Sequence, residues 1–145
     1  MSEPLSFEPF LQRHFVMALA TSDGEQSSST PLYYLYLEDH KWLVFTSDPS
    51  TLHMRLLRIH PEVSGCVFTE TMEVEQIQGI QFRGTLVPAQ DEALQDRLKS
   101  DYLQRFPMAK TVFETRPSPL WAIQLDWVKW SDNSQGFGYK EIWSR

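Results

Sequence analysis

The 145-residue chain has one cysteine, Cys66, so neither an internal disulfide nor a thiolate metal cluster can form. A lone thiol in an apolar stretch reads as a small buried side chain. No run approaches the roughly 18 apolar residues of a bilayer span. Glu3, Pro4 and Glu8 stand where a signal peptide would carry a basic flank and then an apolar stretch, so a cytoplasmic protein is expected, without a membrane partner. Cations are outnumbered: 13 Lys and Arg against 19 Asp and Glu leave a net charge of −6, which repels a phosphate backbone and argues against a nucleic-acid partner. His14, His40, His53 and His60 show no metal-ligand spacing with carboxylates or with Cys66, which argues against a metal site. A GxSxG elbow, a P-loop and a GxGxxG fingerprint are all missing. Gly136-Phe137-Gly138 lacks the strand-to-helix setting of a phosphate loop, so serine-hydrolase and Rossmann readings fail.

Aromatic residues, by contrast, are abundant. They make up 13% of the chain and include five Trp, a composition suited to sheets or to a site for a flat ligand. The length suits one core, and neither repeats nor a linker divide it, so a single domain over 1–145 is expected.

The segment from Ser6 to about Arg13 has helical spacing with Ser6 as cap, and HFVMALAT (14–21) reads as a strand. Asp23-Gly24 is a turn, and the polar stretch GEQSSST is expected to be a loop. TPLYYLYLED and KWLVFTS form a hairpin around Glu38, Asp39 and His40 and are expected at the middle of the sheet. Asp48 and Pro49 resemble an N-cap and a first-turn proline of a helix ending at His60-Pro61. EVSGCVFTETM and GIQFRGTLVPA alternate little and are expected to be strands buried on both faces. Asp91 opens a helix with Leu94, Leu98, Tyr102 and Phe106 on one stripe. In the strand PLWAIQLDWVKW, Trp121, Ile123, Leu125 and Trp127 share a face. Val128 and Trp130 then require cover on the other face, for which a second subunit is one source. FGYKEIW closes the chain after the turn-like DNSQG. The class is mainly β: six to seven antiparallel strands closing into a barrel with short helices.

The sharpest constellation runs from Phe45 and Thr46 through Ser47, Asp48, Pro49, Ser50 and Thr51 to His53, a strand ending in hydroxyls and entering a helix. Free N–H groups and the positive helix end suit an anion such as a phosphate, although Ser and Thr also serve as caps. His53 or Arg55 would add a cation, or lie on a solvated helix face. Tyr33, Tyr34, Tyr36, Trp42 and Phe45 offer flat rings either to a ligand or to a barrel interior. Asp132, Asn133 and Gly136 suit a tight turn or ligand contact.

GIQFRGTL, YLQRFPMA (102–109), PLWAIQL (119–125) and VKWSDNSQGFG (128–138) through Ile142-Trp143 resemble the YhbP family, a branch of the pyridoxamine 5′-phosphate oxidase-like superfamily. The resemblance implies an FMN-binding split barrel, a homodimer with FMN between the subunits, and a redox role for an unspecified substrate. In those oxidases a Tyr-Thr strand end and a following Ser-Arg-Lys grip the FMN phosphate. Here the matching positions are Phe45-Thr46 and Ser50-Thr51-Leu52, which keep the hydroxyls and lack the basic pair, leaving His53 or Arg55 to replace it. The same resemblance lays Tyr33, Tyr34 and Leu35 along the flavin ring, brings Gln81 near it, and allows Trp143 to close the site from the partner chain. Without the basic pair, the alternative is a non-catalytic module using the dimer cleft for another flat or anionic ligand such as haem, or a scaffold without cofactor.

Overall fold

The computed structural model describes residues 3–88 and 91–145. Eight strands are found among them: β1 (Val16–Ser22), β2 (Ser27–Tyr33), β3 (Leu35–Leu37), β4 (Trp42–Thr46), β5 (Glu62–Phe68), β6 (Gln78–Leu86), β7 (Leu120–Asp132) and β8 (Lys140–Ser144). All pairings are antiparallel, in the order β2-β1-β5-β6-β7-β4-β3, and β8 pairs with β7. β2 and β3 lie at opposite ends of this order, yet only Tyr34 separates them in sequence. The sheet therefore curls until its ends meet, and Tyr34 is the corner. Its N–H donates to the Phe15 carbonyl at 3.0 Å, its phenol donates to the Leu11 carbonyl at 3.0 Å, and its ring is buried.

That corner corrects two expectations. The run 30–39 is two strands, and the hairpin with β4 lies at the end of the sheet, whose middle is β6. Ser27 to Thr30, expected in a loop, belong to β2 and pair with β1. Polar residues suit this edge strand, and Pro31 is tolerated on an edge because one side of its ladder is open.

Four helices complete the described chain: α1 (Glu8–Arg13), α2 (Leu52–Ile59), α3 (Glu92–Arg105) and α4 (Ala109–Thr115). Ser6 does not cap α1; its hydroxyl donates to the Glu141 carboxylate, and Glu8 instead accepts the Leu5 N–H at 2.6 Å. Asp48 caps the turn before α2 rather than the helix, accepting the Ser50 N–H at 2.7 Å. α3 begins as expected, with the Asp91 carboxylate accepting the Leu94 N–H at 2.8 Å. After Pro107 the chain turns into α4, which the sequence reading did not anticipate. Leu98, Tyr102, Phe106 and Phe113 of this helical pair cover Val44 and Ala122 on the outside of β4 and β7. A larger core fills the barrel, including Phe10, Leu19, Phe45, Phe82 and Leu125.

β7 changes face at a bulge. Arg83 stands opposite Trp127 and Gly84 opposite Leu125, so Asp126 is the extra residue. Leu125, Val128 and Trp130 consequently enter the same core. This corrects the expectation that Trp127 shares the Leu125 face and that Val128 and Trp130 require cover on the other face. Trp127 turns outward, with the Arg83 guanidinium 4.2 Å above its ring. β5 and β6 are not buried on both faces either. Val63, Val67, Ile80 and Phe82 point inward, whereas Ser64, Phe68, Gln81 and Arg83 are exposed and Cys66 is only partly buried. Small Gly, Ser and Cys side chains hide this alternation from a reading of apolar runs. The Ala89 end of the expected strand GIQFRGTLVPA lies outside the described residues.

Candidate functional site

β4 delivers Thr46 opposite Leu120 of β7, and the turn 47–51 then leads into α2. This hydroxyl-rich junction is largely satisfied from within. Thr46 Oγ1 donates to the Pro119 carbonyl at 3.1 Å, Thr51 Oγ1 to the Asp48 carbonyl at 2.9 Å, and Ser50 Oγ to the Asp48 carboxylate at 2.7 Å. Trp121 Nε1 donates to the Ser47 carbonyl at 2.9 Å, and Arg58 Nη2 donates to that of Pro49 at 2.8 Å. Hydroxyls that already donate to protein oxygens offer lone pairs, not protons, to an anion.

Ser47 Oγ lies 2.7 Å from His53 Nε2, and Thr51 Oγ1 lies 3.3 Å from the same nitrogen. His53 is 8% exposed, and burial pushes its pKa below the ordinary value, which favours the neutral imidazole as partner for the hydroxyls over both a cation and a solvated helix face. Asp48 is exposed, and hydrogen bonds from the Ser50 N–H and hydroxyl, with a smaller pull from the Arg116 charge, hold its carboxyl below the ordinary range. Among the described residues, cations that reach this junction include Arg58, bound to Pro49, and Arg116, which follows α4, while Arg55 is exposed on α2. Sequence reasoning missed Arg116 because it missed the helix that carries the chain back to the junction.

Beside Thr46 a cavity of about 250 Å3 opens between β2 and the α3–α4 pair, lined by Tyr33, Phe106, Met108, Val112 and Phe113 among others. Tyr33 is 49% exposed; its ring stacks with that of Phe15 at 6.1 Å and meets Phe106 at 5.5 Å. The walls are aromatic and aliphatic, with Met108 as an adaptable side chain.

The structure thus gathers Tyr33, Thr46, Ser47, Ser50, Thr51 and His53 around one end of the barrel. Tyr34 and Phe45 turn into the core. Leu35 faces the other way, into a shallow groove beside Asp101 and Arg105 of α3. Gln81 sits on the outer sheet face opposite Cys66 and Lys129. Trp143 packs against the core, its ring 5.9 Å from Phe7. Because Thr46 pairs with Leu120 and Trp143 with Val128, the two lie on the order of 25 Å apart along β7 within one chain. Among the described residues no group of three His, Cys, Asp or Glu side chains is placed to hold a metal, and no helix is long and apolar enough to cross a membrane.

Residues 6–132 match the family model described as Pyridoxamine 5′-phosphate oxidase. A UPF0306 protein of Yersinia pseudotuberculosis is 33% identical over 136 residues, 94% of this chain and 89% of the relative. A haem-binding protein from Mycobacterium smegmatis superposes with a TM-score of 0.77 at 17% identity, covering 99% of this chain and 60% of that one. A FAD-binding protein from Mesorhizobium loti superposes with a TM-score of 0.69 at 20% identity, covering 88% of this chain and 92% of that one. At these identities the structural likeness shows the fold alone, a split barrel.

Proposed function

Because the chain belongs to the pyridoxamine 5′-phosphate oxidase family and is similar to UPF0306 proteins, we propose that it is a cytoplasmic, single-domain FMN-binding protein of the YhbP-like branch, working as a homodimer. The observation that carries this reading is the meeting of Tyr33 and Thr46 at one aromatic-walled cavity, next to the start of α2. An apolar cavity with aromatic walls suits a flat ring system. For the phosphate, the residues at hand are the first-turn N–H groups of α2 and the Arg116 side chain, with the α2 dipole adding a favourable field. The hydroxyls of Thr46, Ser50 and Thr51 shape the turn that presents those groups.

The donor set fits one phosphate, but more weakly than a pair of basic side chains would, since charge-assisted contacts are about twice as strong as neutral ones. When bound, FMN would supply the hydride or electron transfer, and no side chain is required as acid or base. The protein orients the ring, excludes water from its apolar side and holds the phosphate. FMN titration of the purified protein, followed by flavin fluorescence, is expected to show saturable quenching. A colourless protein with no titration signal would overturn the proposal.

A second reading is favoured by Asp48, whose ionised carboxylate lies in the turn leading into α2 and repels an incoming phosphate. It is a non-catalytic module holding a flat ligand without a phosphate anchor, such as haem. Native mass spectrometry separates the two: FMN retained supports the first, and haem retained supports the second.

A further inference from the structure

Residues 46–51 carry four hydroxyls, and three of them donate to protein oxygens: Thr46 to the Pro119 carbonyl, Ser50 to the Asp48 carboxylate and Thr51 to the Asp48 carbonyl. Ser47 differs. Its Oγ lies 2.7 Å from Nε2 of His53, in the first turn of α2. A hydroxyl donates to a bare imidazole nitrogen and accepts from a protonated one, so this contact survives either state of the ring.

The two states leave different protons free. When Nε2 is bare, the proton it accepts comes from Ser47, because Thr51 Oγ1, 3.3 Å away, already donates to the Asp48 carbonyl. When Nε2 is protonated, the ring donates, Ser47 Oγ accepts, and the Ser47 proton is released to a new acceptor. Burial alone favours the neutral ring; among the described residues no neighbouring charge contributes. α2 packs on β1 and β2, which hold no Asp, Glu, Lys, Arg or His, and Tyr33 is their one titratable side chain. β4, from which the turn departs, holds none. The groups on the ring's own turn and helix, Asp48, Arg55, Arg58 and His60, and Arg116 beyond α4, are all exposed.

A phosphate at the start of α2 would bring negative charge to a ring whose charged form nothing else supports, and it would offer the acceptor that a released Ser47 proton needs. We propose that a phosphate bound there draws one proton from solvent onto Nε2 of His53, and that Ser47, no longer donating to that nitrogen, turns its hydroxyl to the phosphate. No covalent bond is made or broken. This rests on the FMN reading above and adds its regulation: the cation that stands in for the missing basic pair forms only as the phosphate binds. Protonation and phosphate binding then favour each other by the same factor. Acidification toward neutral and slightly lower pH strengthens the grip on a phosphate ester and leaves the grip on the ring alone.

Isothermal titration with FMN and with riboflavin tests the linkage. From about pH 8 to about pH 6.5, FMN affinity of the wild type is expected to rise about threefold or more, against a ceiling of roughly tenfold per pH unit for one proton. This range lies above the second ionisation of a phosphate monoester, at about 6, so the ligand stays largely dianionic. Riboflavin affinity is expected to stay level. H53Q should bind FMN without the rise. S47A should lose FMN affinity at the lower pH and match the wild type at the higher, whereas a defect of shape would act at both and on riboflavin too. Inorganic phosphate then separates this inference from the flavin reading. The His53 imidazole signal, assigned with H14Q, H40Q and H60Q, is followed by NMR titration in phosphate and in chloride at matched ionic strength. Phosphate is expected to raise its midpoint by about half a pH unit or more. An unmoved midpoint, an FMN affinity level with pH, or the same rise in folded H53Q overturns the inference. A midpoint that moves in a protein that binds no flavin removes the flavin and leaves the proton switch standing.

Discussion

Lys41 Nζ lies 2.9 Å from Oε2 of Glu8, the oxygen that also accepts the Tyr36 hydroxyl at 2.6 Å. Glu8 is 1% exposed. The pair therefore ties α1 to the β3–β4 hairpin, where Lys41 adopts a left-handed φ of 59°. Glu8→Gln is expected to destabilise the fold by roughly 3 kcal/mol, the lower end for breaking one side of a buried pair, because Gln carries no charge for Lys41 and has one acceptor oxygen where Glu8 uses two, so its NH2 must face a donor. Urea unfolding measures this. The double variant Glu8→Gln with Lys41→Met should recover part of the loss.

The same network sets an acid limit. Burial pushes the Glu8 carboxyl up, but hydrogen bonds from Tyr36, Lys41 and the Leu5 N–H, with the Lys41 charge, outweigh it and hold the pKa below the ordinary 4.5. A depressed carboxylate stabilises the fold above its unfolded value, and that stabilisation disappears as pH falls through the folded value. Melting temperature should therefore fall below about pH 4.5, and less steeply in Glu8→Gln.

His53 works in a higher window. Its folded pKa lies below the ordinary 6.5 because the ring is buried. As pH falls below 6.5 the unfolded chain takes up the proton first, so the folded state loses stability down to the folded value. Thermal melts from pH 7.5 to 5 should show this loss. His53→Gln, which retains an acceptor for Ser47, should flatten the curve in that range.

Beside the bulge in β7, Gly84 is closely packed in the barrel wall. A Cβ there would stand 2.5 Å from the Gln124 carbonyl oxygen, a backbone atom that cannot swing aside. Gly84→Ala is expected to cost about 2 kcal/mol or more through overpacking, read from the urea midpoint.

Much of this architecture was legible in the residues. α3 carried both a capping Asp91 and a four-residue apolar stripe, and β7 stood out by its length and Trp content. What was hidden depended on partners distant in sequence. The Asp126 bulge is specified by the register with Gly84, and the corner at Tyr34 only makes sense once β2 and β3 are known to sit at opposite ends of the sheet. At the candidate site the hydroxyls of Thr46, Ser50 and Thr51 were visible, but the acceptors that occupy their protons were not, because Pro119 approaches from the loop before β7. His53 was visible as a candidate cation. Its burial, and hence its neutrality, was not.

That junction yields the sharpest test of cofactor binding. The Asp48 carboxylate opposes an incoming phosphate, while its acceptor role toward the Ser50 N–H is one that Asn can also fill. Asp48→Asn should therefore keep the turn and raise FMN affinity by roughly three- to tenfold, the scale of one surface charge at close range. Arg116→Ala should lower affinity by a similar factor, since it removes a cation from the same field. Both are read by isothermal titration with FMN and, in parallel, with riboflavin, which has the ring but not the phosphate. If the two substitutions act through the phosphate, riboflavin affinity should stay unchanged in both variants. Equal shifts for FMN and riboflavin would place the effect on the turn's shape instead and remove the junction from the binding site.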